Sequence, residues 1–86
     1  MKTRPWGWFI KLIDLNFFWI KLIRVNTRTS LQYHQYRTEL HISKYGLQLY
    51  MPLERHRMAS GTFLEIAWGK VAEDDIIRLE DDYGRA

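Results

Sequence analysis

Apolar residues in this chain come in short runs separated by polar turns, and no segment keeps the 3.6-residue period of a long helix. Trp8–Ile13 reads as a strand and Asp14–Asn16 as a turn. Phe17–Val25 reads as a second strand, so continuously apolar that burial on both faces is expected. Asn26–Thr29 is a polar turn. Ser30–Tyr36 alternates, with Leu31, Tyr33 and Gln35 on one face and Gln32, His34 and Tyr36 on the other. Leu40–Ser43 is a short strand, Lys44–Gly46 a turn, and Leu47–Met51 a strand stopped by Pro52. Leu53–Met58 leads through His56 to a turn at Ala59–Gly61. Thr62–Trp68 is a further strand, and Gly69–Ala72 closes it. Glu73–Arg78 fits either a short helical turn or an extended arm. Many short strands joined by turns predict an all-β barrel or sandwich.

Eighty-six residues make one domain, and a chain of that size buries only roughly 60–65% of its unfolded surface. Four Trp, five Tyr and four Phe compensate with large side chains. Trp6, Trp8 and Trp19 are read as core or dimer-interface residues. The absence of cysteine excludes disulfides and thiolate metal sites, which fits a cytoplasmic location. Lys11, Asp14, Asn16, Lys21 and Arg24 interrupt the N-terminal apolar stretch, so neither a membrane-spanning helix nor a signal peptide is expected there.

The net charge of +3 is unevenly spread. Residues 1–72 carry eleven Lys/Arg against four Asp/Glu, or +7, and residues 73–86 carry two against six, or −4. The simplest reading is an acidic arm, 73–86, folded back over a basic body, with Tyr83 anchoring it. A basic β-domain for nucleic acid is disfavoured, because the aromatics cluster in apolar strands instead of alternating with basic residues on one face.

Residues 32–46, QYHQYRTELHISKYG, carry the candidate chemistry. Gln32, His34 and Glu39 offer a carbonyl oxygen, an imidazole nitrogen and a carboxylate, which together can hold a divalent metal. Ligands one residue apart share a strand face, and a third, five residues on, can return from the next strand. His56 is the candidate fourth ligand. Two nitrogen and two oxygen donors favour zinc and would accept manganese, iron, cobalt or nickel. The competing reading is a set of polar side chains satisfied inside a small barrel. His41 is open between packing, a substitute ligand and an acid/base role. Arg37, Arg55, Arg57 and Lys70 are phosphate candidates, or solvated charges.

The spacing Gln–x–His–x4–Glu–x6–Gly resembles the first signature of the cupin barrels, with Gln in place of the first His. RPWG at 4–7, SLQYH at 30–34, RTE at 37–39, HR at 56–57 and EDDIIRLEDDYGR at 73–85 follow in order. Together they resemble the C-terminal cupin domain of the bifunctional mannose-6-phosphate isomerase/mannose-1-phosphate guanylyltransferases. The resemblance implies a small jelly-roll-like cupin β-barrel and a metal on Gln32, His34, Glu39 and His56. It also implies an isomerase role for Arg78 and Arg85, whose guanidinium groups suit phosphate; Arg37, Arg57 and Lys70 are further substrate-contact candidates on their charge. The expected reaction is mannose 6-phosphate to fructose 6-phosphate. The alternative is a non-catalytic metal- or sugar-binding cupin module. The family's guanylyltransferase half does not fit in this length. Only sixteen residues separate Glu39 from His56, fewer than in the family, so the barrel is expected to lack about one hairpin. A homodimer is expected.

Overall fold

A computed structural model describes residues 1–72 and 74–84. Eight strands form in chain order: β1 (Lys2–Arg4), β2 (Gly7–Leu15), β3 (Phe18–Val25), β4 (Leu31–Tyr33), β5 (Arg37–Ser43), β6 (Gly46–Tyr50), β7 (Gly61–Gly69) and β8 (Ile77–Glu80). Six of them make one antiparallel sheet in the order β1-β2-β3-β7-β5-β6, and β4 pairs with β8 in a separate ribbon. The fold is all-β, as the sequence pattern predicts.

The expected barrel does not close among the described residues. The short strands β1 and β6 stand at opposite edges of the large sheet and do not pair with each other. What would be a barrel wall is replaced by a cover over one sheet face. The cover consists of the β4–β8 ribbon and the segment 51–58. A single bridge between Gln32 and His56 ties these parts together, and the Thr29 N–H donates to the Met58 carbonyl at 3.0 Å.

Alternation decides which side chains face the cover. Along β3, Trp19, Lys21, Ile23 and Val25 point inward and are buried. Phe18, Ile20 and Leu22 point outward and are half-buried. The expectation that Phe17–Val25 is buried on both faces therefore fails, because the sheet is covered on one side only. Phe17 lies at the β2–β3 turn and is 67% exposed.

Phe9, Ile23, Val25, Met58 and Phe63 form the apolar core, with Trp6 packed against it. Gly7 is needed where β2 meets β3, since a Cβ there would lie 1.9 Å from the Arg24 carbonyl oxygen. Beside this core the inner face carries the buried polar groups Lys21, Arg37, Glu39, His41 and Glu65, with the buried Trp19 and Ala67 among them.

The acidic arm is extended, not helical, and folds back on the basic body. The Arg28 guanidinium donates to both Asp82 carboxylate oxygens, at 2.5 and 2.7 Å. The Tyr83 hydroxyl donates to the Arg28 carbonyl at 3.0 Å and pairs with the Thr27 hydroxyl. Asp75 accepts the backbone N–H groups of Gln35 and Tyr36, at 2.8 and 3.0 Å. Glu73, which opens the arm, and Arg85 lie outside the described residues. No helix among the described residues is long and apolar enough to cross a membrane.

Candidate metal centre

Cross-strand register builds the polar half of the inner face. Lys21 on β3 stands opposite Glu65 on β7, and Glu65 stands opposite His41 on β5. One step along, Trp19 stands opposite Ala67, and Ala67 opposite Glu39. Positive and negative groups thus alternate across three strands, an arrangement that favours pairing. The small Ala67 leaves room for the Arg37 guanidinium, whose Cζ sits 4.7 Å from the centre of the Trp19 ring. Lys21 lies against the same ring at 3.9 Å and against Phe9 at 4.3 Å.

His34, Glu39 and His56 converge, with their ligand atoms all within 4.8 Å of one another. His34 follows directly after β4, Glu39 points inward from the third position of β5, and His56 comes from the cover. His34 Nε2 is 3.3 Å from Glu39 Oε2, and His56 Nε2 is 3.4 Å from Glu39 Oε1.

Both imidazoles are oriented by a bond at Nδ1. His34 Nδ1 donates to the Asp75 carbonyl at 2.5 Å, and His56 Nδ1 donates to the Glu54 carbonyl at 3.2 Å. A carbonyl can only accept, so each Nδ1 carries a proton, and at His34 the Arg37 donor finds the lone pair on Nε2. His56 Nε2 is buried and makes no hydrogen bond among the described residues. Burial lowers the His34 pKa from its ordinary value, and the Arg37 charge adds to that against the pull of Glu39. The ring is therefore neutral at neutral pH, the form a metal requires.

Glu39 is the centre of the network. Burial alone would raise its carboxyl, but the bond from His41, the adjacent His56 ring and the Arg37 charge hold it well below the ordinary carboxylate value. His41 Nε2 sits 3.0 Å from Glu39 Oε1 and 3.2 Å from Glu65 Oε1. Burial opposes charge on His41, yet the two carboxylates raise its pKa to about 9. His41 is thus an imidazolium bridging two carboxylates. Glu65 also accepts the Trp19 indole N–H at 2.8 Å.

The donor set fits a divalent metal. With bonds of about 2.0–2.1 Å, neighbouring ligand atoms around a tetrahedral ion are spaced roughly 3.3 Å apart; His34 and His56 stand at about that distance from different Glu39 oxygens, so one shared oxygen ligand would require the carboxylate to turn. Buried His/Glu groups here can hold a metal ion. One cation already competes for the position: Arg37 donates from Nη2 to His34 Nε2 at 3.2 Å and from Nε to Glu39 Oε2 at 2.7 Å. Its Nη1 is anchored on the Ala72 carbonyl at 2.8 Å. A metal would have to part the guanidinium from His34.

Gln32 is adjacent but not aimed at this point. Its backbone exchanges both hydrogen bonds with His56, at 2.9 and 2.8 Å, while its side-chain oxygen accepts from the Ser30 hydroxyl at 2.6 Å. Gln32 does line an open-mouthed cavity of about 110 Å³ beside the cluster, together with Arg4, Lys21, Arg37, Glu65 and Arg78. Arg78 reaches it because β8 pairs Arg78 with Gln32.

The other expected site residues are elsewhere. Arg57 donates from Nε to the Thr29 carbonyl at 3.0 Å and does not line the cavity. Lys70 sits over the Tyr36 ring, in a separate hollow with Asp74 and Asp75. Arg85 lies outside the described residues. Sequence reasoning missed Lys21 and Glu65. Their signal was a charge at an inward position within an otherwise apolar strand.

Compared with family models, curated proteins and solved structures, the chain matches none.

Proposed function

We propose that this chain is a metal-dependent aldose–ketose isomerase acting on a small sugar phosphate. The reading rests on one observation: two buried imidazoles and one carboxylate converge beside a cavity whose lining includes Arg4, Lys21, Arg37 and Arg78. The choice of mannose 6-phosphate and fructose 6-phosphate, and of a cupin relationship, rests on the residue blocks alone. His34, Glu39 and His56 would hold the ion, with Gln32 joining once its side chain leaves Ser30. Bound there, a divalent ion supplies Lewis-acid polarisation of neighbouring substrate oxygens.

The chain's own residues account for the rest. Arg4, Lys21 and Arg78 give the cavity a positive wall suited to a phosphate. Arg37, once parted from His34, is placed to hydrogen-bond a substrate oxygen. Glu65 is the carboxylate that lines the cavity, which makes it the candidate to take the proton from the carbon beside the carbonyl. Its bonds to Trp19 and His41 would fix its orientation. The test is conversion of mannose 6-phosphate with and without a chelator, and in Glu65→Gln. Turnover abolished by chelation, and lost in Glu65→Gln with metal still bound, supports the reading. Turnover that survives both refutes it.

A second reading, a non-catalytic metal- or sugar-binding module, is favoured by the same His41 contacts. Both buried carboxylates are already engaged by an imidazolium, which weakens either as a base. Stoichiometric metal with sugar-phosphate binding and no turnover would select it.

A further inference from the structure

The outer face of the large sheet is apolar across five strands. Register aligns Ile10, Leu22, Leu64, Ile42 and Leu47 in one unbroken row, and Ile13, Ile20, Ile66, Leu40 and Leu49 in the next. Leu15, Phe18 and Trp68 extend a third row that ends at Thr38. The only charged side chain on β3's outer face is Arg24, near one end. Seven members of these rows are between 36% and 70% exposed. At roughly 200 Å² for a large apolar side chain, they alone present about 650 Å², and the half-buried members add to it. A monomeric protein rarely exposes a contiguous apolar patch above a few hundred Å².

From this face we infer that two copies of the chain pack sheet against sheet. The area decides the occupant. A stable interface needs about 800 Å² from each partner, which is what the three rows supply. The inner face points the same way. Much of it is given to Arg37, Glu39, His41, Glu65 and Lys21, and the contiguous apolar cluster among the described residues has five buried members with Trp6 packed beside them. The residues that would stabilise a sheet of this size lie on its other side. A partner needed for stability must always be present, and a second copy always is. Two antiparallel sheets stack about 10 Å apart with their strands within about 30° of each other. A twofold axis over β7, the middle of the five strands, would bring each row onto its equivalent. This inference does not depend on the proposed activity.

Light scattering over a range of concentrations tests it. The wild type should have a mass of 21 kDa, twice the chain's 10.5 kDa. Leu64→Glu on β7, the middle strand of the face, should reduce the mass to that of one chain, whereas Leu79→Glu, on β8, should leave it doubled. The chain has no cysteine, so Leu64→Cys gives a second readout if Leu64→Glu does not fold. Oxidation should link two copies through position 64 and leave Leu79→Cys unlinked. A 10.5 kDa wild type at every concentration would overturn the inference, including one that adsorbs to neutral lipid vesicles. So would a folded Leu64→Glu that keeps the doubled mass, or equal linking at positions 64 and 79.

Discussion

Replacing His41 with glutamine keeps an N–H donor between Glu39 and Glu65 but removes the positive charge. The two carboxylates raise the imidazole from its ordinary 6.5 to about 9. At roughly 1.4 kcal/mol per pKa unit, that corresponds to about 3 kcal/mol of stabilisation. The contacts that depress Glu39 are partly the same ones, so this interaction is counted once. The folded protein binds the proton more tightly than the unfolded chain. The stabilisation is therefore complete below pH 6.5, declines as pH rises from there, and is lost once pH passes about 9. Glu39 sets the opposite limit. Its depressed carboxyl contributes fully above the ordinary 4.5 and loses that contribution as pH falls through its folded-state value. Urea unfolding of the metal-free protein in chelator, at about pH 6 and about pH 9.5, measures the difference. Wild type should exceed His41→Gln by about 3 kcal/mol at the lower pH and by under about 1 kcal/mol at the higher. A variant whose stability falls with pH as steeply as the wild type would refute the imidazolium bridge.

Other perturbations test the surrounding structure. Arg37→Gln removes the guanidinium that occupies His34 Nε2, so metal affinity by calorimetric titration should rise about tenfold while stability falls by about 3 kcal/mol. An unchanged or lower affinity would show that Arg37 does not compete. Asp75→Ala deletes two hydrogen bonds to the 35–36 backbone and frees the segment that carries His34. Metal affinity should drop about 10-fold or more, with about 1–3 kcal/mol lost from stability. Gly7→Ala drives a Cβ into the Arg24 carbonyl. On the order of 3 kcal/mol should be lost, seen as a melting temperature lower by about 10 °C or more.

Five strands of the large sheet were legible as short apolar runs between polar turns, whereas β1 at Lys2–Arg4, short and polar, was not read as a strand. Thr62–Trp68 and Leu47–Met51 each fall within a residue of the strand observed. The strand read at Leu40–Ser43 begins earlier, at Arg37, because pairing with Gly69 and Trp68 extends the ladder. The closed barrel was an inference from resemblance, and local pattern does not report whether edge strands meet.

Within the site, the His34–Glu39 spacing was readable as strand, turn, strand. His56 was less so, since its place depends on one bridge to Gln32. Lys21 and Glu65 were obscured by their neighbours. An inward lysine is tolerable only where Phe9 and Trp19 supply ring faces, and Phe9 lies on another strand. Arg57 and Lys70 looked like substrate contacts on charge alone, and their actual partners are a carbonyl in one case and a ring in the other.

The central claim is that His34, Glu39 and His56 form a metal site. Elemental analysis of protein purified without a tag or chelator tests it most directly, beside His34→Ala/His56→Ala checked for folding. Near-stoichiometric divalent metal is expected in the wild type and none in the variant. A wild type that carries no metal and takes up none on titration would contradict it and leave the cluster as a buried network of ion pairs.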